Sequence, residues 1–138
     1  MRIGMVGSIT AEVICNLRKF GFEITEVENV GYHFIYMGKD VFYCITQSDE
    51  NSLKLVLVEK KEIKPSNITH ILMALNTINN TVRYVKASLV DYDAVWLACE
   101  CPICTTEGLA EILQISICSL YQASTLLNNK IQVQNQST

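Results

Sequence analysis

The chain has 138 residues, 49% of them apolar and only 18% charged, with 11 basic against 14 acidic side chains for a net charge of −3. A single domain of this length, 1–138 with an ordered core over about 8–130, buries about 70% of its unfolded surface and builds a core without disulfides or metals. The balance excludes the electropositive face of a nucleic-acid binder, and so little charge leaves little polar material to cover the outside.

Residues 3–11 (IGMVGSITA) are short for a secretory leader, are broken by Ser8 and Thr10, and run straight into Glu12. Helix formation is expected from Ser8 or Thr10, either of which can cap it, to about Phe20. Val13, Ile14 and Leu17 form its apolar stripe, and Gly21 ends it. After a short segment, Phe22 to Glu28, three strands are predicted. They are Tyr32–Met37, Val41–Gln47 after a Gly38-Lys39 turn, and Leu53–Glu59 after the polar turn Ser48–Ser52.

Lys60, Lys61 and Lys64, interleaved with Glu59 and Glu62, read as a solvated loop. Pro65-Ser66 opens a second helix whose apolar residues Ile68, Ile71, Leu72, Leu75 and Ile78 follow i, i+3, i+4, i+7, i+10, and Asn79-Asn80 stops it. Arg83–Val90 and Ala94–Ile103 form a hairpin around Asp91-Tyr92-Asp93. Thr105 or Thr106 caps a last helix to about Lys130, and the tail, 131–138, is expected to fray.

The order is therefore α-β-β-β-α-β-β-α. Strands joined by tight turns pair antiparallel, so the fold class is α+β with a five-stranded sheet and three helices. The longest uncharged run, 112–129, is interrupted by Gln114, Ser116, Ser119, Gln122, Ser124 and Asn128 and is no membrane span. A cytoplasmic protein with six reduced cysteines is the expectation. On that expectation the sequons at Asn67, Asn79 and Asn135 have no consequence.

Three cysteines crowd into Cys99-Glu100-Cys101-Pro102-Ile103-Cys104. Strand alternation puts Cys99 and Cys101 in phase with Val95 and Leu97, on the face opposite Glu100 and across from Val85, Ala87 and Leu89. Free cysteine is a small apolar residue that suits such a core position, and Pro102 ends the strand. Zinc would want a fourth ligand from Cys44, His33 or His70, and no second CxxC exists. A glutaredoxin-like dithiol at Cys101 and Cys104 has the strand–motif–helix placement that lowers a thiol pKa, but the remaining elements are not those of a thioredoxin fold. A thiol- or metal-dependent protein using Cys99, Cys101 and Cys104 is the alternative class. No phosphate loop, HExxH or GxSxG is present, so no catalytic residue and no cofactor is expected. The aromatics Tyr32, Phe34, Tyr36, Phe42 and Tyr43 are read as sheet packing, since an RNA-recognition sheet runs βαββαβ with basic residues among them.

The element order, with the helix KPSNITHILMALNTINNTV, the hairpin RYVKASLVDYDAVWLACECPI and the helix TTEGLAEILQISICSLYQA, resembles the type III secretion chaperone-like fold. The likeness is strongest to the YbjN-like (bacterial sensory transduction regulator) family and spans about residues 8–130. These are landmarks of fold, not of chemistry. The resemblance implies a non-enzymatic, polypeptide-binding and often dimeric scaffold, chaperone-like or adaptor and regulatory. The net charge is milder than that of secretion chaperones and favours their less characterised relatives.

Two surfaces follow. Leu53, Leu55 and Leu57 face one side of the sheet, while Val56, Val58, Trp96 and Ala98 face the other, where they form an apolar partner-binding patch if all helices cover the first side. The last helix is apolar over a wide arc, from Leu109 and Ile112 through Leu127. The middle helix is expected to turn His70, Met73, Ala74 and Thr77 away from the sheet. That uncharged side is suited to a homodimer contact, the small Ala74 allowing close approach, and the resemblance implies pairing through this helix.

Overall fold

Alternating β-branched and aromatic residues in the middle of the chain build one antiparallel sheet, seen in a computed structural model that describes residues 2–45, 52–103 and 105–136. Its strands are β1 (Thr25–Val27), β2 (Gly31–Tyr36), β3 (Lys39–Cys44), β4 (Ser52–Lys60), β5 (Val85–Val90) and β6 (Ala94–Pro102). They lie in the order β1-β2-β3-β4-β6-β5. The helices are α1 (Arg2–Lys19), α2 (Ile68–Thr81) and α3 (Leu109–Gln136).

The sheet thus has six strands where five are expected. The additional strand, β1, lies inside the Phe22–Glu28 segment and has no apolar alternation of its own. It exists because Thr25, Glu26 and Val27 pair with His33, Tyr32 and Gly31 across a turn in which Asn29 takes φ 65°. The helix bounds also shift. α1 begins at Arg2, before the caps expected at Ser8 or Thr10, and α3 continues to Gln136, past Lys130. α2 starts at Ile68, because the Asn67 side chain accepts from the Lys64 backbone N–H at 2.8 Å and donates to the Glu62 carbonyl at 2.9 Å, closing the preceding turn. The Ser48–Asn51 part of the polar turn lies outside the described residues, as do Gln47 and Cys104.

The two predicted hairpins are present. Between β2 and β3 the turn is Met37-Gly38, one residue earlier than expected, with φ of 51° and 80°, the doubly positive pattern of the tight hairpin turn that matches strand twist. Gly31 is required for a different reason. Its φ is +146°, and a Cβ there would stand 2.1 Å from the Tyr43 carbonyl oxygen, so any side chain would push β2 from β3.

The register assigns the two faces. Phe34, Val41, Leu57, Leu97 and Ala87 lie in one row across β2, β3, β4, β6 and β5, and Tyr32, Tyr43, Leu55, Cys99 and Val85 in the next. All of these join the core cluster or pack against it, together with Val13 and Leu17 of α1, Ile71 and Ile78 of α2, and Leu113, Leu120 and Leu127 of α3. The three helices therefore share one face of the sheet. Phe22 stacks on Phe34 at 4.8 Å between ring centres, and Tyr36 meets Tyr121 of α3 edge-on at 5.5 Å. The apolar arc of α3 is thus absorbed within the fold in good part, although Ile115 remains 53% exposed.

Candidate functional site

Every second residue of the strands points away from the helices, and among the described residues no helix covers that side. Its central rows are His33, Phe42, Val56, Ala98 and Lys86, and Ile35, Asp40, Val58, Trp96 and Ser88. The four residues expected as a partner patch are brought together: Val56 is the cross-strand partner of Ala98, and Val58 that of Trp96. Trp96 is 40% exposed and Ile35 58%. Val56 is 2% exposed yet stands outside the helix-covered core, so its neighbours on the uncovered face bury it.

Around these residues the face is concave. A depression of about 400 Å³ is walled by Phe42, Cys44, Val56, Val58 and Trp96, with Asp40 and Lys60 at its rim. Phe42 and Cys44 are part of this wall and were not in the expected patch. The signal for them was available, since Asp40, Phe42 and Cys44 alternate out of phase with the core residues Val41 and Tyr43. His33 hydrogen-bonds Asp40 at 2.8 Å and tilts against Phe42 at 5.0 Å between ring centres. The floor is therefore apolar and one rim carboxylate is already oriented. A second groove, of about 690 Å³, continues the face over β5 and β6 past Tyr84, Lys86, Trp96 and Glu100.

The α2 residues divide differently from the expectation. Ala74 is 2% exposed and belongs to the core, while Leu72, expected on the sheet, is 47% exposed. The helix has two neighbours, β5 and α3, so its buried stripe is wider than one sheet contact and rotates to take in Ile71, Ala74, Leu75 and Ile78. His70 and Met73 do lie on the outer side, Met73 at 63% exposure. Thr77 is half-buried and donates to the Met73 carbonyl at 3.1 Å. The outward surface of α2 is then His70, Leu72 and Met73, and no acidic or basic side chain other than His70 occurs in the helix.

Of the clustered cysteines, Cys99 is buried in the core and Cys101 half-buried beside it, on the face expected for both. Burial pushes both thiols up, and for Cys101 the neighbouring Cys99 and Glu100 add to the rise. Burial likewise raises the Cys44 thiol, against a smaller opposing effect of Lys54. A reactive thiol needs the reverse shift. No three His, Cys, Asp or Glu side chains are gathered to hold a metal ion among the described residues, which do not include Cys104.

A buried polar group on the opposite face was not anticipated. Glu59, 5% exposed, points among the helices from the end of β4. Ser124 and Asn128 of α3 donate to its carboxylate, Asn128 at 3.0 Å, and the Lys39 ammonium lies 3.2 Å away. Lys61 in turn donates to the Asn128 side-chain oxygen. Every lone pair that matters is answered, which is the condition for burying a carboxylate at all. This group ties β3 and β4 to α3.

No protein-family model matches the chain, and no curated protein matches it either. Solved structures do share its fold. YbjN from E. coli, for which a role in transcription regulation has been suggested, is 17% identical and aligns over 91% of this chain and 92% of its own, with a TM-score of 0.67. An uncharacterized protein from Methanothermobacter thermautotrophicus is 16% identical over 91% and 98%, with a TM-score of 0.68. The Yersinia pestis type III secretion chaperone SycH, solved in complex with a stable fragment of YscM2, is 16% identical over 85% and 98%, with a TM-score of 0.55. Among the described residues no helix is long and apolar enough to cross a membrane.

Proposed function

We propose that this chain, whose fold is that of YbjN and of the type III secretion chaperones, is a non-catalytic polypeptide-binding module of the chaperone-like or adaptor kind. The observation that carries the reading is the uncovered sheet face. A strand that serves only to close a core is apolar on one side, whereas β4 places Val56 and Val58 on the side that no helix covers, beside Phe42 and Trp96. Contiguous apolar surface of this sort is the mark of a partner site. Its occupant is an amphipathic polypeptide segment: an apolar side chain seats between Phe42 and Trp96, a basic group lies toward Asp40, and an acidic group toward Lys60.

On this reading the protein works in the cytoplasm, where its cysteines stay reduced, and needs no cofactor. It works as a homodimer joined through the outward side of α2, where Leu72 and Met73 stand exposed without neighbouring charge. The alternative, thiol or metal chemistry at Cys99, Cys101 and Cys104, is opposed by the upward shift of the first two thiols.

Trp96 is the chain's one tryptophan, so its emission reports on the proposed site directly. Synthetic amphipathic peptides carrying an apolar anchor between a lysine and a glutamate should shift that emission to the blue. The same peptides with glycine as the anchor should not, and Val58→Asp should abolish the shift while circular dichroism stays unchanged. An emission indifferent to every anchored peptide defeats the reading. For the dimer, Met73→Glu should yield monomers by light scattering; a wild-type protein monomeric at tens of micromolar ends that part of it alone.

A further inference from the structure

Among the described residues strand β5 ends the sheet, with β6 on one side and no strand on the other. Six residues of unpaired edge are a template for strand addition, and soluble proteins close such edges by some device. Here the device is a side chain. The Ala87 backbone N–H donates to Oδ1 of Asn79 at 2.7 Å, and Nδ2 of Asn79 donates to the Ala87 carbonyl at 3.1 Å.

The ladder explains why both groups are free to do this. In an antiparallel pair, residues alternate between those that exchange both backbone bonds with the partner strand and those that turn both outward. Ala87, opposite Leu97, turns both outward, and by the same alternation so do Val85 and Leu89. Ala87 is the middle of these three positions. A carboxamide offers one acceptor and one donor side by side, as a peptide unit of an added strand would. Asn79 sits on α2 within its last turn, and α2 continues past it to Thr81, so the amide is held at the edge by a rigid element.

We propose that Asn79 occupies the β5 edge in place of a strand, and that without it this edge pairs with the β5 edge of a second copy of the chain. The opposite edge needs no such plug, because β1 is three residues long, carries Glu26 at its centre and is followed by Glu28. At β5 the outward Lys86 adds a charge that discourages stacking but leaves the backbone groups themselves unanswered. The second copy is the favoured occupant because a two-fold axis brings Ala87 to face Ala87, matching donor to acceptor in both directions.

The test compares Asn79→Ala with Asn80→Ala, a neighbour whose amide bonds only to the Asn76 carbonyl within α2. Light scattering over rising concentration should show Asn79→Ala associating beyond the wild-type state, whatever that state is, and Asn80→Ala matching wild type. By hydrogen exchange the Ala87 amide should lose protection roughly tenfold in dilute Asn79→Ala, where association is absent. Adding Ala87→Pro removes the outward donor without touching the β6 ladder and should return Asn79→Ala to the wild-type state. If Asn79→Ala does not fold, Asn79→Gln, with its amide set one methylene out of register, serves in its place. Association unchanged in the Asn79 variant overturns the proposal. So does association that survives Ala87→Pro, which would trace it to general unfolding instead of to the edge.

Discussion

The two faces of the sheet share strands but not purposes. In β2, Phe34 is fully buried and its neighbour Ile35 is 58% exposed; in β4, Leu57 lies under the helices and Val58 opposite them. Both faces are apolar at their centres, yet among the described residues one is closed by three helices and the other by none. Apolar residues under the helices are accounted for by folding. Those on the bare side add little to a core and so point to a use outside the folded chain.

That contrast can be broken most sharply within one strand. Phe34→Ala should lower stability by about 3–5 kcal/mol, since it removes a fully buried ring stacked on Phe22. Ile35→Ala, one residue on, should stay within roughly 0.5 kcal/mol of wild type in the same urea titration. Equal losses would mean that the second face is covered in solution. Next in size is Gly31→Ala, where the new Cβ meets the Tyr43 carbonyl and backbone must shift; a loss of about 2–3 kcal/mol is expected, read from the same midpoint.

Glu59→Ala probes the one polar point of the closed face. It strands the Ser124 hydroxyl and takes one acceptor from the Asn128 amide, which keeps the Ser124 carbonyl, and should cost about 1–3 kcal/mol. Ser124→Ala alone should cost less, because the carboxylate keeps Asn128 and Lys39. A double-mutant cycle that returned additive values would show that the group does not act as a network.

The smallest effect concerns the thiols. Burial raises Cys99 and Cys101, so at neutral pH both should react with iodoacetamide more slowly than the exposed Cys15. The sign for stability follows. The folded state holds these protons more tightly than the unfolded chain, so stability is complete below the ordinary thiol range and declines as pH rises through it. A stability curve that instead rose across that range would contradict the burial of Cys99.

Much of this is legible in the sequence. Strand side chains alternate and helix side chains recur every 3.6 residues because of the local backbone alone. The inward set Val95, Leu97, Cys99, the outward set Val56, Val58, Trp96, Ala98, and the helical character of Ile68 to Ile78 could therefore be read from spacing. What could not be read depends in each case on a residue far along the chain. β1 is a strand because Gly31 to His33 accept it as a neighbour, not because Thr25-Glu26-Val27 carries a pattern. Asn79 looks like a helix stop, but Ala87 holds its amide and α2 continues. Ala74 turns inward and Leu72 outward because α3 lies against α2 as well as β5. Glu59 reads as the end of a strand beside a charged, solvated loop until Ser124 and Asn128 arrive beside it. Local sequence sets which way a side chain points from its own element; it carries no record of which distant element will stand there to meet it.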